Sequence, residues 1–153
     1  MACSPASLRG MAAIEVGAEF GPSSWIDVPQ EKIQAFADVT GDHNFIHVDP
    51  EMAARSPFGG TIAHGYFTLS LLPVMSYELL PHDDAGMAVN YGLNKVRFPA
   101  PVPSGSRVRG TFCVDAIDEQ EWGRQVTLTA TIECEGVDKP VCAAEVLYRY
   151  YSL

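Results

Sequence analysis

Positive charge is scarce in this chain: ten Lys and Arg stand against nineteen Asp and Glu, a formal charge of −9 over 153 residues. A general nucleic-acid binder needs a basic footprint for the phosphate backbone, so that class is excluded. A small anionic ligand is not, because a few local Arg and Lys residues can serve one. Cysteine is almost as sparse. Cys3, Cys113, Cys134 and Cys142 show no CxxC spacing. Three of them lie in strand-like runs and read as reduced, buried thiols of a cytoplasmic protein. The N-terminal MACSPASLRG lacks the apolar stretch of a secretory signal. It is Ala-, Ser- and Pro-rich and Met11 could equally be a start, so residues 1–12 are expected to be a disordered leader before a single domain over 13–153. Repeats, low-complexity tracts and long linkers are also absent. What remains is 47% hydrophobic and 19% charged, enough to bury a core without staples.

The first half reads as helical. In PQEKIQAFADVT (29–40), Pro29 suits a first turn and Gly41 a C-terminal stop, while Ile33, Phe36 and Ala37 recur at helical spacing. Asp49-Pro50 resembles an N-cap followed by a Pro at the first helical position, starting a short helix through about Arg55. Ser56 to Gly60 is a turn. Residues 61–81, TIAHGYFTLSLLPVMSYELLP, are apolar on nearly every side, so a helix there is either a membrane span or enclosed by protein. His64, Gly65, Pro73 and Glu78 interrupt it and flanking Lys or Arg anchors are missing; a buried central helix is expected, with Pro73 kinking it or ending its regular part. After His82, taken as a surface turn, the chain changes character. Residues 87–98, 106–117, 123–135 and 140–151 are rich in Val, Thr, Tyr, Phe and Ile, and Val126, Leu128, Ala130 and Ile132 alternate with Thr127, Thr129, Thr131 and Glu133. A further strand is expected around 14–20. The class is α+β, an antiparallel sheet covering one helix.

Chemistry concentrates in FADVTGDHNFIH (36–47), where Asp42, Asn44 and His47 fall just beyond the first helix. An acid and an imidazole five apart can bracket one water, and apolar Phe45, Ile46 and Val48 would limit solvent around it. The same residues also fit a turn that holds its own backbone, with His47 a hydrogen-bonded structural histidine. His43 and His47 sit four apart, as metal ligands often do, but an acidic third ligand at matching spacing is not evident; no metal is expected.

The stretch FADVTGDHNFIHVDP, followed by PFGGTIAHGYFTLSL, resembles the MaoC-like, (R)-specific enoyl-CoA hydratases and dehydratases of the hot-dog fold. Their signature runs Gly-Asp-x-Asn-Pro-aliphatic-His; here Phe45 stands in the place of the Pro. Ile62-Ala63-His64-Gly65 matches the start of that family's central helix, and NYGLNKVRFPAPVPSGSRV resembles its mycobacterial and nodulation-protein-N-like branch. The resemblance implies a hot-dog sheet wrapped around helix 61–80. It makes Asp42 and His47 the catalytic pair, sharing the base and acid parts of water addition to a trans-2-enoyl thioester. Gly65 is implied as the backbone donor to the thioester oxygen, Asn44 as the residue that orients Asp42 or its loop, and His64 as a packing or supporting residue.

The remaining expectations follow from that chemistry. The substrate is an acyl-CoA or acyl-carrier-protein thioester, with no metal and no organic cofactor. Coenzyme A carries several negative charges, so the basic residues are expected to gather at one place: Lys95 and Arg97, with Arg107 and Arg109 across the turn 99–105, Arg97 being best placed for a phosphate. An open sheet edge favours pairing of two copies into a homodimer. Dehydration on an acyl-carrier protein, a thioesterase on the same fold, and a non-catalytic acyl-thioester-binding protein are the alternatives.

Overall fold

The computed structural model describes residues 14–82 and 86–152; the expected leader 1–12 and Cys3 lie outside them. Helix α1 spans Gln30–Thr40, and Pro29, in extended backbone, is the residue before its first turn rather than in it. Ile33 and Ala37 form its buried face. Gly41 ends it with φ 83°, its N–H donating to the Ala37 carbonyl at 2.8 Å, a left-handed step that costs glycine little. That step throws Asp42 out of the helix. Two four-residue helices follow, α2 (Phe45–Val48), which the sequence did not suggest, and α3 (Pro50–Ala53). Asp49 caps α3 as expected, accepting from the Met52 N–H at 3.0 Å.

The sheet contains β1 (Glu19–Phe20), β2 (Ile26–Val28), β3 (Met87–Arg97), β4 (Ser106–Gln120), β5 (Gly123–Cys134) and β6 (Cys142–Tyr151). All pairs are antiparallel, in the order β1-β4-β5-β6-β3, with β2 beside β4. The expected strand at 14–20 shrinks to two residues, and β2 is an addition. The strict alternation along β5 is as its sequence indicates, with Val126, Leu128, Ala130 and Ile132 buried. Phe112 and Val114 of β4 and Val146 and Tyr148 of β6 continue the same inner face. Burying so many branched and aromatic side chains, at about 1.5–3 kcal/mol each, supplies the main drive for this architecture.

Inside the curve of the sheet lies the apolar segment, but not as one helix. Residues 61–64 are extended, with Ile62 bridged to Pro103. Helix α4 covers Gly65–Leu69 and α5 covers Leu72–Leu79. Pro73 stands in the first turn of α5, where its missing N–H does no harm, so it opens the second helix instead of kinking a single long one. Nor is the segment enclosed on all sides. Phe67, Leu72 and Met75 face the sheet, whereas Tyr66 is 72% exposed and Tyr77 68%. Contact with the sheet is close: a Cβ on Gly110 of β4 would lie 2.5 Å from Met75 Sδ. No helix among the described residues is long and apolar enough to cross a membrane.

Strand β3 has β6 on one side and no strand among the described residues on the other, and nearly all of it is exposed. Cys134 and Cys142 are buried and Cys113 half-buried, none in a disulfide; burial pushes the Cys142 thiol up to about 11 and leaves it unreactive. His82 is not a surface turn: it is half-buried, and its Nε2–H donates to the Ser76 carbonyl at 2.9 Å, satisfying the C-terminal turn of α5.

Candidate active site

Asp42 precedes α2 and His47 lies within it, and the segment 61–65 runs beside them. Three cross-links join the two stretches. The Ile62 N–H donates to the Ile46 carbonyl at 2.9 Å, His47 Nδ1 meets the Ile62 carbonyl at 2.7 Å, and His64 Nε2 meets the Asp42 carbonyl at 3.0 Å. Residues 61–63 are held in turn by the turn after β3, through Ala63 N–H to the Val102 carbonyl at 2.8 Å and Ser104 N–H to the Thr61 carbonyl at 2.9 Å. Gln30, which sequence reasoning missed, donates to the His47 carbonyl at 2.7 Å and accepts from the Thr61 hydroxyl at 2.8 Å. Its position directly after Pro29 at the helix start carries no signal; only the fold brings it there.

These bonds define the imidazoles. A carbonyl only accepts, so His47 carries its hydrogen on Nδ1 and presents Nε2 as a lone pair. His47 is 7% exposed, and burial holds its pKa below the ordinary imidazole value; the neighbouring His64 adds to that, while the Ile62 carbonyl and Asp42 oppose it. Neutral Nε2 is therefore available as a base, and protonation costs more than it does for a free histidine. The expected consequence is an acidic limb of kcat/KM below pH about 6.5, measured by a pH–rate profile of the free enzyme; a limb above that value contradicts the assignment of His47 as the base.

Asp42 is exposed. Its Oδ1 accepts the Asn44 N–H at 3.3 Å, and Asn44 Oδ1 in turn accepts the Ile46 N–H at 3.4 Å, capping α2. Asn44 thus reaches Asp42 through its main chain, not through its amide. Phe45, expected to shield the pair, is itself 40% exposed; the cover over His47 comes from the His64 ring stacked on it. A carboxylate oxygen of Asp42 and ring nitrogens of His47 and His64 lie within 4.8 Å of one another. One water reaches two such atoms when they are up to about 5.5 Å apart.

The same trio is the one grouping among the described residues that could approach a metal ion. The two rings oppose it: their planes differ by 24° and their centroids are 3.8 Å apart. Lone pairs in near-parallel planes do not converge on an ion about 2.0–2.1 Å from each nitrogen. His43 plays no part in the trio, since its Nε2 is paired with Asp38 at 2.8 Å.

Beside His47 opens a cavity of about 380 Å³ walled by Ile46, Phe58, Ile62, Phe98, Val102 and Val141, with Gly65 and Thr68 also on its lining. Gly65 is the first residue of α4, and its N–H has no hydrogen-bond partner among the described residues. A five-residue helix adds little macrodipole, so the value of this donor lies in the unpaired N–H itself. Phe98 lies against its Cα: a Cβ there would sit 2.8 Å from Phe98 Cδ2.

The expected basic cluster divides in two. Lys95 and Arg97 stand exposed on β3 with no carboxylate ion pair among the described residues, and Arg97 adjoins Phe98 at the cavity. Arg107 and Arg109 do not join them. They pair with Glu135 and Glu133 across the β4–β5 ladder and lie over the Trp25 ring, because the strand register sets these charges side by side.

Comparison with known proteins adds to this geometry. Residues 12–137 match the model of the MaoC-like domain. The 3-hydroxyacyl-thioester dehydratase Z of Mycobacterium tuberculosis is 50% identical over 141 residues, covering 92% of this chain and 93% of that protein. Nodulation protein N of Rhizobium leguminosarum bv. viciae is 48% identical over 132 residues, covering 84% and 82%. Among solved structures, the (R)-hydratase from A. caviae involved in PHA biosynthesis superposes with a TM-score of 0.76 at 27% identity, over 90% of this chain and 98% of that one.

Proposed function

This chain belongs to the MaoC-like domain family and is a hydro-lyase, and we propose that it interconverts trans-2-enoyl and (R)-3-hydroxyacyl thioesters, with coenzyme A as the carrier. The observation that carries the reading is the Asp42–His47 pair, within reach of one water, beside an apolar cavity that also presents the unpaired N–H of Gly65. In hydration, His47 Nε2 takes a proton from the water as its oxygen attacks C3, and the Asp42 carboxylate holds the water's second hydrogen. The C1 oxygen gathers charge as an enolate and accepts the Gly65 N–H, a type of donor contributing about 3–4 kcal/mol to the barrier. The proton then returns from the pair to C2, on the face from which the hydroxyl arrived. Dehydration is the same path reversed. In this scheme the base, the acid and the oxyanion donor all come from the chain itself, and the proposal includes neither metal nor organic cofactor.

Lys95 and Arg97, without a carboxylate ion pair among the described residues and on the strand that leads to Phe98 at the cavity, are proposed to meet the phosphates of the carrier. A cytoplasmic location, where thiols stay reduced, belongs to the same proposal. So does a homodimer. The exposed Leu93 of β3 and the exposed Tyr66, Val74 and Tyr77 of the helices lie beside the edge of β3 that no other strand among the described residues pairs, which a second copy can extend into one continuous sheet. Sedimentation is expected at twice the 16.6 kDa chain mass; a monomer at micromolar concentration removes the dimer. Incubation with crotonyl-CoA tests the reaction: loss of the conjugated enoyl absorbance without release of free thiol is expected. Thiol release would make the protein a thioesterase, and binding without turnover would make it an acyl-thioester carrier.

A further inference from the structure

His64 is 2% exposed and takes part in more contacts around the pair than packing alone explains. Its ring is stacked on His47, with centroids 3.8 Å apart, and its surroundings include the Phe36 ring at 4.9 Å. Its Nε2–H donates to the Asp42 carbonyl at 3.0 Å, which fixes the tautomer and leaves Nδ1 as a buried lone pair with no partner. The ring is thus bonded to the loop through one nitrogen only. The loop it grips is otherwise anchored at His43, paired with Asp38 at 2.8 Å; the bonds around Asp42 itself are long, Asp42 N–H to the Thr40 hydroxyl at 3.4 Å and Asn44 N–H to Asp42 Oδ1 at 3.3 Å.

Resting on the reading of Asp42 and His47 as the acting pair, we propose that His64 is a positioning residue: its Nε2–H sets the Asp42 loop at its working distance from His47, and its ring holds the His47 imidazole in plane. His64 touches neither water nor thioester in this scheme. The charged and titratable groups that face it are Asp42 from the loop after α1 and His47 from α2; Phe36 of α1 and Thr68 of α4 bring no charge.

Two substitutions separate positioning from filling. Asn at 64 is too short to reach the Asp42 carbonyl, whereas the Gln amide can replace the Nε2–H donor. In crotonyl-CoA hydration, His64→Asn is expected to lower kcat by about 30- to 100-fold, as for a displacement of about 1 Å in a catalytic group, with KM little changed. His64→Gln is expected to recover most of that loss. In both variants the acidic limb of kcat/KM moves to higher pH, because the ring that covers His47 has gone. The inference is overturned if His64→Asn keeps kcat within twofold of the parent. It is equally overturned if Gln is as impaired as Asn and the acidic limb stays where it was. Asp42→Asn measured alongside separates the two levels: full activity there removes the catalytic reading, while an inactive Asp42→Asn beside an active His64→Asn removes this inference alone.

Discussion

Asp42→Asn and His47→Gln are each expected to lower crotonyl-CoA turnover by at least about a hundredfold, the lower end of what a positioned acid or base contributes. The two should differ in stability. Asp42 is exposed, and its side chain accepts one long hydrogen bond, so the amide replacement is expected to leave the melting temperature nearly unchanged. His47 is buried, and its Nδ1–H satisfies the Ile62 carbonyl at 2.7 Å; losing that bond costs about 1–2 kcal/mol. Thermal melts run beside the assays therefore distinguish a lost proton-transfer group from a damaged fold. Full turnover in either folded variant would leave the pair as a turn and its packing histidine.

Gly65→Ala is the second large effect. The added methyl would stand 2.8 Å and 2.9 Å from two carbons of the Phe98 ring, so Phe98 must swing away, at a cost of about 1–3 kcal/mol for forced repacking. The methyl also occupies space beside the N–H that the thioester oxygen must approach. Turnover is expected to fall by about a hundredfold, in the range of removing one oxyanion donor. Adding Phe98→Ala to Gly65→Ala relieves the collision and is expected to restore the melting temperature while turnover stays low. Recovery of both would mean that Gly65 is there for the ring and not for the substrate.

The sequence was most readable where physics acts locally. The left-handed step at Gly41, the Asp49 cap and the alternation of β5 depend on neighbouring residues, and each appears where its pattern lies. The linked motifs around Asp42 and His64 likewise come together in space. What escaped was set by contacts across the chain. Apolar composition suggested one helix over 61–81, yet residues 61–64 are pulled straight by the turn after β3, and Pro73 begins a new helix. Gln30 bonds to His47 and Thr61 through the packing of α1, which no spacing encodes. Arg107 and Arg109 resemble phosphate ligands until strand register places Glu135 and Glu133 beside them. Phe45 took the position expected of a shield, but the imidazole of His64, from the other motif, covers His47 instead.

The central claim is the addition of water to one face of an enoyl thioester by Asp42 and His47. Its most direct test is chiral analysis of the product formed by the native protein from trans-2-enoyl-CoA substrates of increasing chain length. The account predicts (R)-3-hydroxyacyl-CoA as the product, with the thioester intact. An (S)-product, or no hydration of any chain length under conditions where the substrate binds, would contradict it.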